Sequence, residues 1–176
     1  MTYLPLPRAL LGGAIALALL PSAYAESSGF FENSKTSLLL RNYYFNRDYN
    51  DPGASKSKVE EWAQGAILKF NSGYTPGVIG FGLDGIAMLG IKLDSSRQTS
   101  GSDLLPVHAD GHSADSYGRA GVAAKMRFSD TELFLGELMP DVPLLRYDDG
   151  RLLPQTFQGT MLVSRELPGL NLQAGQ

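Results

Sequence analysis

The stretch from Val78 to Leu93 constrains the fold of this chain more than any other. Every second residue from Ile79 onward is apolar or glycine, whereas the alternate positions include the charged residues Asp84 and Lys92. Because successive side chains of a β-strand point to opposite faces, this pattern predicts a strand with one apolar and one mixed face. Soluble strands usually have about 5–6 residues, whereas a membrane-barrel strand needs about 9–11. The segment therefore fits either a long strand of a soluble sandwich or a strand of a transmembrane barrel.

Residues 1–25 have the pattern of a cleaved signal peptide. Arg8 supplies positive charge, Ala9 to Leu20 form an apolar run, and Ala23-Tyr24-Ala25 has the small-residue pattern of a cleavage site. The run is too short for a membrane-spanning helix, and it lacks the polar face of a buried amphipathic helix. We therefore predict export and a mature chain that begins at Glu26.

Composition and motifs exclude several classes of function. The 176 residues include no Cys, so no disulfide holds the exported chain, and the formal charge of -3 provides no basic field for nucleic acid. No GxSxG motif is present, and we predict no enzyme activity, no catalytic residues and no cofactor. The spacing of His108, Asp110 and His112 is possible for a transition metal, but these residues lie in a flexible loop with no Cys or evident third ligand, so we expect no metal.

Seven segments of the mature chain have strand character. They are Thr36 to Phe45, Trp62 to Tyr74, Val78 to Leu93, Tyr117 to Phe128, Thr131 to Leu138, Gln158 to Glu166 and Leu170 to Gln176. Long polar loops and short turns alternate between them, and a short turn between long strands requires an antiparallel hairpin. Outer-membrane barrels sort their connections in this way, whereas a soluble meander has no reason to do so. The sequence thus predicts an all-β, antiparallel transmembrane β-barrel, with a soluble secreted β-domain as the alternative.

The segment Tyr117 to Phe128 divides its side chains by charge. One face is apolar and includes Val122 and Met126, and the other carries Arg119, Lys125 and Arg127. In a barrel the apolar face contacts lipid and the basic face lines the lumen. There the three cations either guide anions or pair with wall carboxylates such as Asp84. The facing of Thr131 to Leu138 stays unassigned, because Glu132 and Glu137 fall on opposite sides.

Six blocks of the mature chain match a known family in the correct order. They are LLLRNYYFNRD (38–48), EEWAQG (60–65), SGYTPGVIGFGLD (72–84), LGIKLD (89–94), LLPVHADG (104–111) and GELMPDVPLLRYDDGRLLPQTFQG (136–159). They resemble the OprD family of outer-membrane porins, the carboxylate channels of pseudomonads. The resemblance implies an antiparallel barrel of eighteen strands. It also implies a third loop that narrows the pore and a ladder of basic side chains that guides carboxylates.

The resemblance also sets the expected domain organisation and function. About seven of eighteen strands are present, so we expect residues 26–176 to be the N-terminal portion of a porin barrel, truncated before its closing strands. The expected function is passive diffusion of small carboxylate-bearing nutrients across the outer membrane of a Gram-negative bacterium. The expected partners are these substrates and outer-membrane lipid, and self-association of the full-length protein is left open. A non-conducting truncated fragment is an alternative.

Arg151 is the leading candidate for a substrate-guiding residue, because it matches a ladder position in the family's third loop. Alternatively, it pins the loop to the wall by pairing with Asp148 or Asp149. The further pore-lining candidates are Arg119, Lys125, Arg127 and Tyr147, with Arg41 and Lys69 as minor ones. Tyr147 and Phe157 either line the constriction or anchor the loop.

Overall fold

The computed structural model describes residues 29–142 and 144–176. The predicted signal peptide, residues 1–25, lies outside this part of the chain. A short helix, α1, spans Gly29–Glu32. No helix in the described ranges is long and apolar enough to cross a membrane.

Nine β-strands follow α1. They are β1 (Lys35–Asp48), β2 (Lys58–Asn71), β3 (Ile79–Ser95), β4 (Ser116–Phe128), β5 (Thr131–Leu138), β6 (Asp141–Val142), β7 (Leu145–Arg146), β8 (Phe157–Ser164) and β9 (Leu172–Gly175). Seven of them form one antiparallel sheet in the order β1-β2-β3-β4-β5-β8-β9, and β6 and β7 form a separate hairpin. Within the described residues, β1 and β9 each have one edge without a partner strand. The prediction of an all-β antiparallel fold with about seven wall strands is confirmed.

The strand ends differ from the prediction where polar residues continue the pairing. β1 runs on to Asp48 and β2 begins at Lys58, which shortens the predicted loop from Asn46 to Lys58. Arg47 lies opposite Val59 in the register, and Asp48 lies opposite Lys58. Backbone hydrogen bonds do not depend on side-chain polarity, so a hydrophobic pattern ends such strands too early. The pattern also did not indicate α1 or the β6-β7 hairpin.

The sheet has an inner face, which carries Lys125 and Met88, and an outer face, which carries Leu89 and Val122. Met88 and Lys125 are buried, whereas Leu89 and Val122 are exposed. The register sets Met88 opposite Ile67, which is also buried, so that the faces of neighbouring strands stay in phase. The exposed apolar surface therefore extends over most of the outer face, as lipid contact requires, and the polar pair Asn42 and Gln64 on that face is hydrogen-bonded to itself at 3.0 Å.

Two long loops fold back over the inner face: the second loop, residues 96–115, and the third loop, residues 139–156. Leu104 and Leu105 of the second loop and Leu152 of the third pack with Ala63 of β2 in one buried cluster. Gly65 allows this approach, because a Cβ atom there would lie 3.1 Å from the Leu152 carbonyl oxygen. The core of the described chain therefore lies between the sheet and its own loops.

A glycine resolves the facing of β5. Arg127 lies opposite Glu132 in the register, and Arg119 forms an ion pair with Glu137, so both carboxylates are on the inner face. In a regular strand, residues an odd number of positions apart, such as Glu132 and Glu137, point to opposite faces. Gly136 lies between the two and has a φ of +132°, a conformation that L side chains rarely adopt. The local departure from the two-residue period brings Glu137 to the same side as Glu132.

A charge on the outer face should impair insertion, whereas a charge in a loop should not. Leu89 on β3 and Val107 in the second loop are each 46% exposed, which makes them a matched pair. We expect Leu89→Lys to destabilise the folded state in lipid by about 2–4 kcal/mol if it lies near the bilayer midplane. Urea unfolding of the complete barrel in vesicles, with Val107→Lys as the control, measures the difference. Equal effects of the two substitutions would mean that the outer face does not contact hydrocarbon.

Candidate pore-lining site

Three cations predicted from spacing lie along the inner face of β4. Arg119 lies near the end of β4 that follows the second loop, and Lys125 and Arg127 lie toward the turn that leads to β5. β4 pairs with β3 and β5 on either side, so the three side chains are held on a rigid wall. The three cations differ in their exposure and in the distance to the nearest carboxylate, and these differences determine whether each one is available to bind an anion.

Lys125 is paired inside the wall. Its side chain is 7% exposed, and its Nζ lies 2.6 Å from Asp84 Oδ1. The ammonium also donates to the Ser72 carbonyl at 2.7 Å, and it lies 5.1 Å from the ring centroid of Tyr74. A buried charge that loses its partner is strongly destabilising, so this pair contributes to the integrity of the wall. The arrangement is the pairing with Asp84 that the sequence offered as the alternative to substrate guidance.

Tyr74 lies in the turn between β2 and β3, at the end of the wall away from Arg119, and it contacts several charged side chains there. The Arg127 guanidinium lies 4.5 Å from the Tyr74 ring centroid, a cation–π contact. The Tyr74 hydroxyl donates to Glu132 at 2.6 Å, and Arg165 pairs with the same carboxylate at 3.0 Å. Burial and the hydrogen bond to Glu132 raise the pKa of Tyr74 well above its ordinary value. The hydroxyl therefore stays protonated and available as a donor. Arg127 is exposed above the ring.

Arg119 joins the wall to the end of the third loop. It donates to Thr156 Oγ1 at 2.6 Å, and the Thr156 hydroxyl in turn donates to Glu137. Glu137 also lies 3.4 Å from Arg119, in an ion pair at the longer end of the range. The Arg119 side chain is nevertheless 56% exposed, so it can still interact with a passing anion.

Arg151 in the third loop is held less tightly. Its side chain is 44% exposed, and its nearest carboxylate oxygen among the described residues is Asp103 Oδ2 at 4.0 Å. Neither partner suggested by the sequence is engaged with it. Asp149 pairs with Arg41, and Asp148 Oδ1 accepts from the Gly150 amide at 2.7 Å. The guanidinium of Arg151 is thus exposed on the loop that covers the inner face.

Arg41 of β1 pins the third loop to the wall. Its two terminal nitrogens donate to the two carboxylate oxygens of Asp149 at 2.9 and 3.0 Å, and it also donates to the Arg151 carbonyl at 2.6 Å. This forked contact is the geometry that Arg makes with a carboxylate. The pairing role that the sequence offered as an alternative for Arg151 belongs to Arg41. Nothing local in the sequence indicates it, because Arg41 and Asp149 are far apart in the chain.

Glu61 is a positioning residue that sequence reasoning missed. It is fully buried on β2, and it accepts hydrogen bonds from the Ser102 amide at 2.9 Å and from Ser95 Oγ at 3.2 Å. The hydroxyls of Ser102 and Ser113 also donate to it. Both carboxylate oxygens are satisfied without a cation, so Glu61 acts as an acceptor that orders the second loop. Ser102 directly precedes Asp103, whose carboxylate is the nearest one to Arg151. The contacts that Glu61 makes with Ser102 therefore also fix the position of Asp103.

The remaining candidates have modest roles in this structure. Tyr147 is half-buried in the third loop, and its amide donates to the Pro140 carbonyl at 2.9 Å. His112 Nδ1 lies 3.4 Å from Asp110, and the hydrogen bond from the His112 amide is the main cause that lowers the Asp110 pKa. No group of three or more His, Cys, Asp or Glu side chains in the described ranges is arranged to hold a metal ion.

A one-sided sheet with a largely apolar outer face, and with an inner face bearing cations beneath its own loops, has the organisation of a wall segment of a membrane-spanning β-barrel. A family model described as outer membrane porin, OprD family, matches residues 28–176. The chain belongs to this family. The predicted resemblance is confirmed, and with it the porin class and the location in the outer membrane. The relatives are porins and not enzymes, in agreement with the prediction. Family membership overturns the alternative of a soluble secreted β-domain.

Relatives support the same assignment over part of their length. The chain is 54% identical over 163 residues to the porin-like protein GalP of Pseudomonas putida, and this covers 93% of the chain and 39% of GalP. It superposes on OccK9 (OpdG) of Pseudomonas aeruginosa with a TM-score of 0.82 and 60% identity, covering 84% of this chain and 38% of that one. It matches OpdK of the same organism, solved with vanillate, with a TM-score of 0.75 and 63% identity over 84% of this chain and 36% of OpdK.

Loss of the Arg41 contact should loosen the third loop. Charge-assisted hydrogen bonds contribute about 1.5–3 kcal/mol each, an upper value here because Asp149 is half exposed. We expect Arg41→Met to give a noisier open-channel current in planar bilayers, with transitions between sublevels. Arg47→Met is the control, because it removes the same charge from β1, and Arg47 makes no hydrogen bond or ion pair with the described residues of the third loop. Equal noise in both variants would show that Arg41 acts only through its charge.

Proposed function

We propose that residues 26–176 form the N-terminal wall of an outer-membrane channel for passive diffusion of small carboxylate-bearing nutrients. The exposed guanidinium of Arg151 is the observation that carries the proposal. It lies on a loop that Arg41 fixes to the wall, and its nearest described carboxylate is 4.0 Å away. A cation that is positioned but weakly paired is suited to attract an anion and to release it.

The electrostatics of a narrow passage favour this role. A fixed charge in a partly dehydrated constriction acts at lower effective dielectric than a charge on an open surface, so its pull on a carboxylate is stronger. Conduction also requires that the ligand can leave, which a tight buried site would prevent. Arg119 provides a second exposed guanidinium on the wall. Arg127 provides a third cation near the opposite mouth, and Tyr147 adds an aromatic surface to the third loop. Lys125 serves this path indirectly, by holding the wall together.

One relative supports the carboxylate preference, and the lengths of the relatives support the assignment as part of a larger barrel. OpdK was solved with vanillate, which is a carboxylate, and this chain is 63% identical to OpdK in the matched region. The chain spans only 34–39% of the length of the curated relatives it matches. A closed barrel would therefore need strands beyond the described seven to pair with the free edges of β1 and β9. A wall segment that does not conduct is the second candidate, because a strand edge without a partner is costly in hydrocarbon.

The proposal includes cleavage of residues 1–25 on export. The charged start, the apolar run and Ala23-Tyr24-Ala25 motivate it. N-terminal sequencing of the protein from outer-membrane fractions should begin with Glu-Ser-Ser-Gly, from Glu26. Recovery of Met1 at the terminus would contradict this.

Removal of the Arg151 guanidinium should reduce selectivity for carboxylates. Loss of a charge-assisted hydrogen bond of about 1.5–3 kcal/mol lowers occupancy roughly tenfold or more at low substrate concentration. We therefore expect Arg151→Ala, in the complete barrel reconstituted in liposomes, to lower uptake of acetate relative to glycerol. Widening of the pore alone would raise both rates together.

The control for this variant is Arg146→Ala. Arg146 lies near the start of the third loop, is largely exposed and pairs with Asp141 at 2.6 Å. Its removal takes away the same charge from the same loop, but from a guanidinium that already has a close partner. If Arg151→Ala leaves the uptake ratio at the value of the parent and of Arg146→Ala, Arg151 does not guide the substrate.

A further inference from the structure

Asp103 of the second loop is the acidic neighbour of Arg151 in the third. Its side chain is 85% exposed, and its Oδ2 lies 4.0 Å from Arg151 Nη2. A charge-assisted contact between a guanidinium and a carboxylate usually measures about 2.7–2.9 Å. The two charges are therefore close enough to attract each other but too far apart for a direct hydrogen bond.

Two buried leucines fix the positions of this pair. Asp103 directly precedes Leu104, and Arg151 directly precedes Leu152. Both leucines are fully buried and belong to the cluster that packs against Ala63 of β2. The two loop segments that carry the charges thus meet in one core, so they cannot move apart without breaking it.

Polar contacts to the wall hold the same two segments. Arg41 donates to the Arg151 carbonyl at 2.6 Å, and Glu61 accepts from the Ser102 amide, directly before Asp103, at 2.9 Å. Among the described residues, neither Asp103 nor Arg151 has a closer ion-pair partner. The fold therefore keeps a carboxylate beside the guanidinium without neutralising it in a tight contact.

The backbone of Asp103 is in the left-handed region, with a φ of +66°. Glycine adopts this conformation without strain, whereas Asp and Asn are the L residues that adopt it more readily than most. The Asp103 side chain makes no hydrogen bond to a described residue, so it does not stabilise the turn by a local contact. Unusual backbone conformations of this kind are common at functional sites. The position is thus better explained by the charge that it presents than by the turn that it forms.

We propose that Asp103 is a built-in competitor for Arg151, which weakens the binding of substrate carboxylates there and speeds their release. An anion that approaches Arg151 is repelled by Asp103 and has to replace its attraction for the guanidinium. A guanidinium without this neighbour would bind anions more tightly and release them more slowly, whereas conduction requires release. The inference rests on the proposed role of Arg151, and it adds a specificity-determining residue from the second loop.

The concentration dependence of acetate uptake by the complete barrel in liposomes tests this role. We expect Asp103→Asn to lower the half-saturating acetate concentration about two- to fivefold, as the loss of an exposed ion pair predicts. The maximal rate should also fall, because release becomes slower, while glycerol uptake should stay unchanged. Glycine also suits the left-handed conformation, so Asp103→Gly should give the same result. A purely structural role of Asp103 would change glycerol uptake as well.

The matched control is Asp115→Asn. Asp115 lies in the same loop, its side chain is 92% exposed, and it pairs with Lys92 at 2.6 Å. The substitution removes the same charge from the same loop, but from a carboxylate that has its own close cation. We expect the half-saturating acetate concentration to stay at the value of the parent.

A double variant separates competition at Arg151 from a general effect of charge. In the Arg151→Ala background, Asp103→Asn should leave acetate uptake unchanged. An equal effect of Asp103→Asn in that background, or an equal effect of Asp115→Asn, would overturn the competition, because the lost charge would then act only through its long-range field. If Asp103→Asn does not insert, an unchanged half-saturating concentration in Asp103→Gly contradicts it.

The single variants distinguish this inference from the proposed function. If Arg151→Ala does not lower acetate uptake relative to glycerol, the proposed function fails. If Arg151→Ala has its expected effect and Asp103→Asn leaves both acetate parameters unchanged, only the competition fails.

Discussion

A backbone surrounded by hydrocarbon must satisfy its N–H and C=O groups within the protein, and this requirement underlies the structure. The seven-stranded antiparallel sheet meets it for all interior strands by continuous pairing between neighbours. Pairing in register also keeps the two-residue alternation in phase from strand to strand, so one face is mostly apolar and the other is free for polar groups. The edges of β1 and β9 are where the requirement is unmet in the described sheet. A closed barrel abolishes such edges.

The cations of the inner face, which is released from contact with lipid, fall into a paired group and a more exposed group. Lys125 is buried against Asp84, and Arg41 holds Asp149 in a forked contact, so both positive charges stabilise the wall and its third loop. Arg119 and Arg151 keep much of their surface exposed, with longer ion-pair distances of 3.4 and 4.0 Å. The cations of this face therefore differ in how closely a carboxylate neutralises them, and we propose that the less closely paired ones interact with solute.

The loops depend on buried polar anchors as much as on hydrophobic packing. Glu61 orders the second loop through three donors from Ser102 and Ser113, with a fourth from Ser95 of β3. Arg41 orders the third loop through a carboxylate and a carbonyl. Leu104, Leu105 and Leu152 then complete a small core against Ala63. Since a conducting pore cannot be filled with a continuous apolar core, point anchors of this kind keep loops in place while leaving space for solute.

The sequence alone determined the fold class, the number of wall strands and the division of their side chains between two faces. These follow from a two-residue period and from turn residues, which are local properties of the chain. It also identified the family and the third-loop position of Arg151. Only the tertiary structure decided which cations are paired, because Arg41 and Asp149, or Lys125 and Asp84, meet through folding across many residues. Similarly, Glu137 reached the inner face through the backbone of Gly136, and a side-chain pattern contains no information on φ.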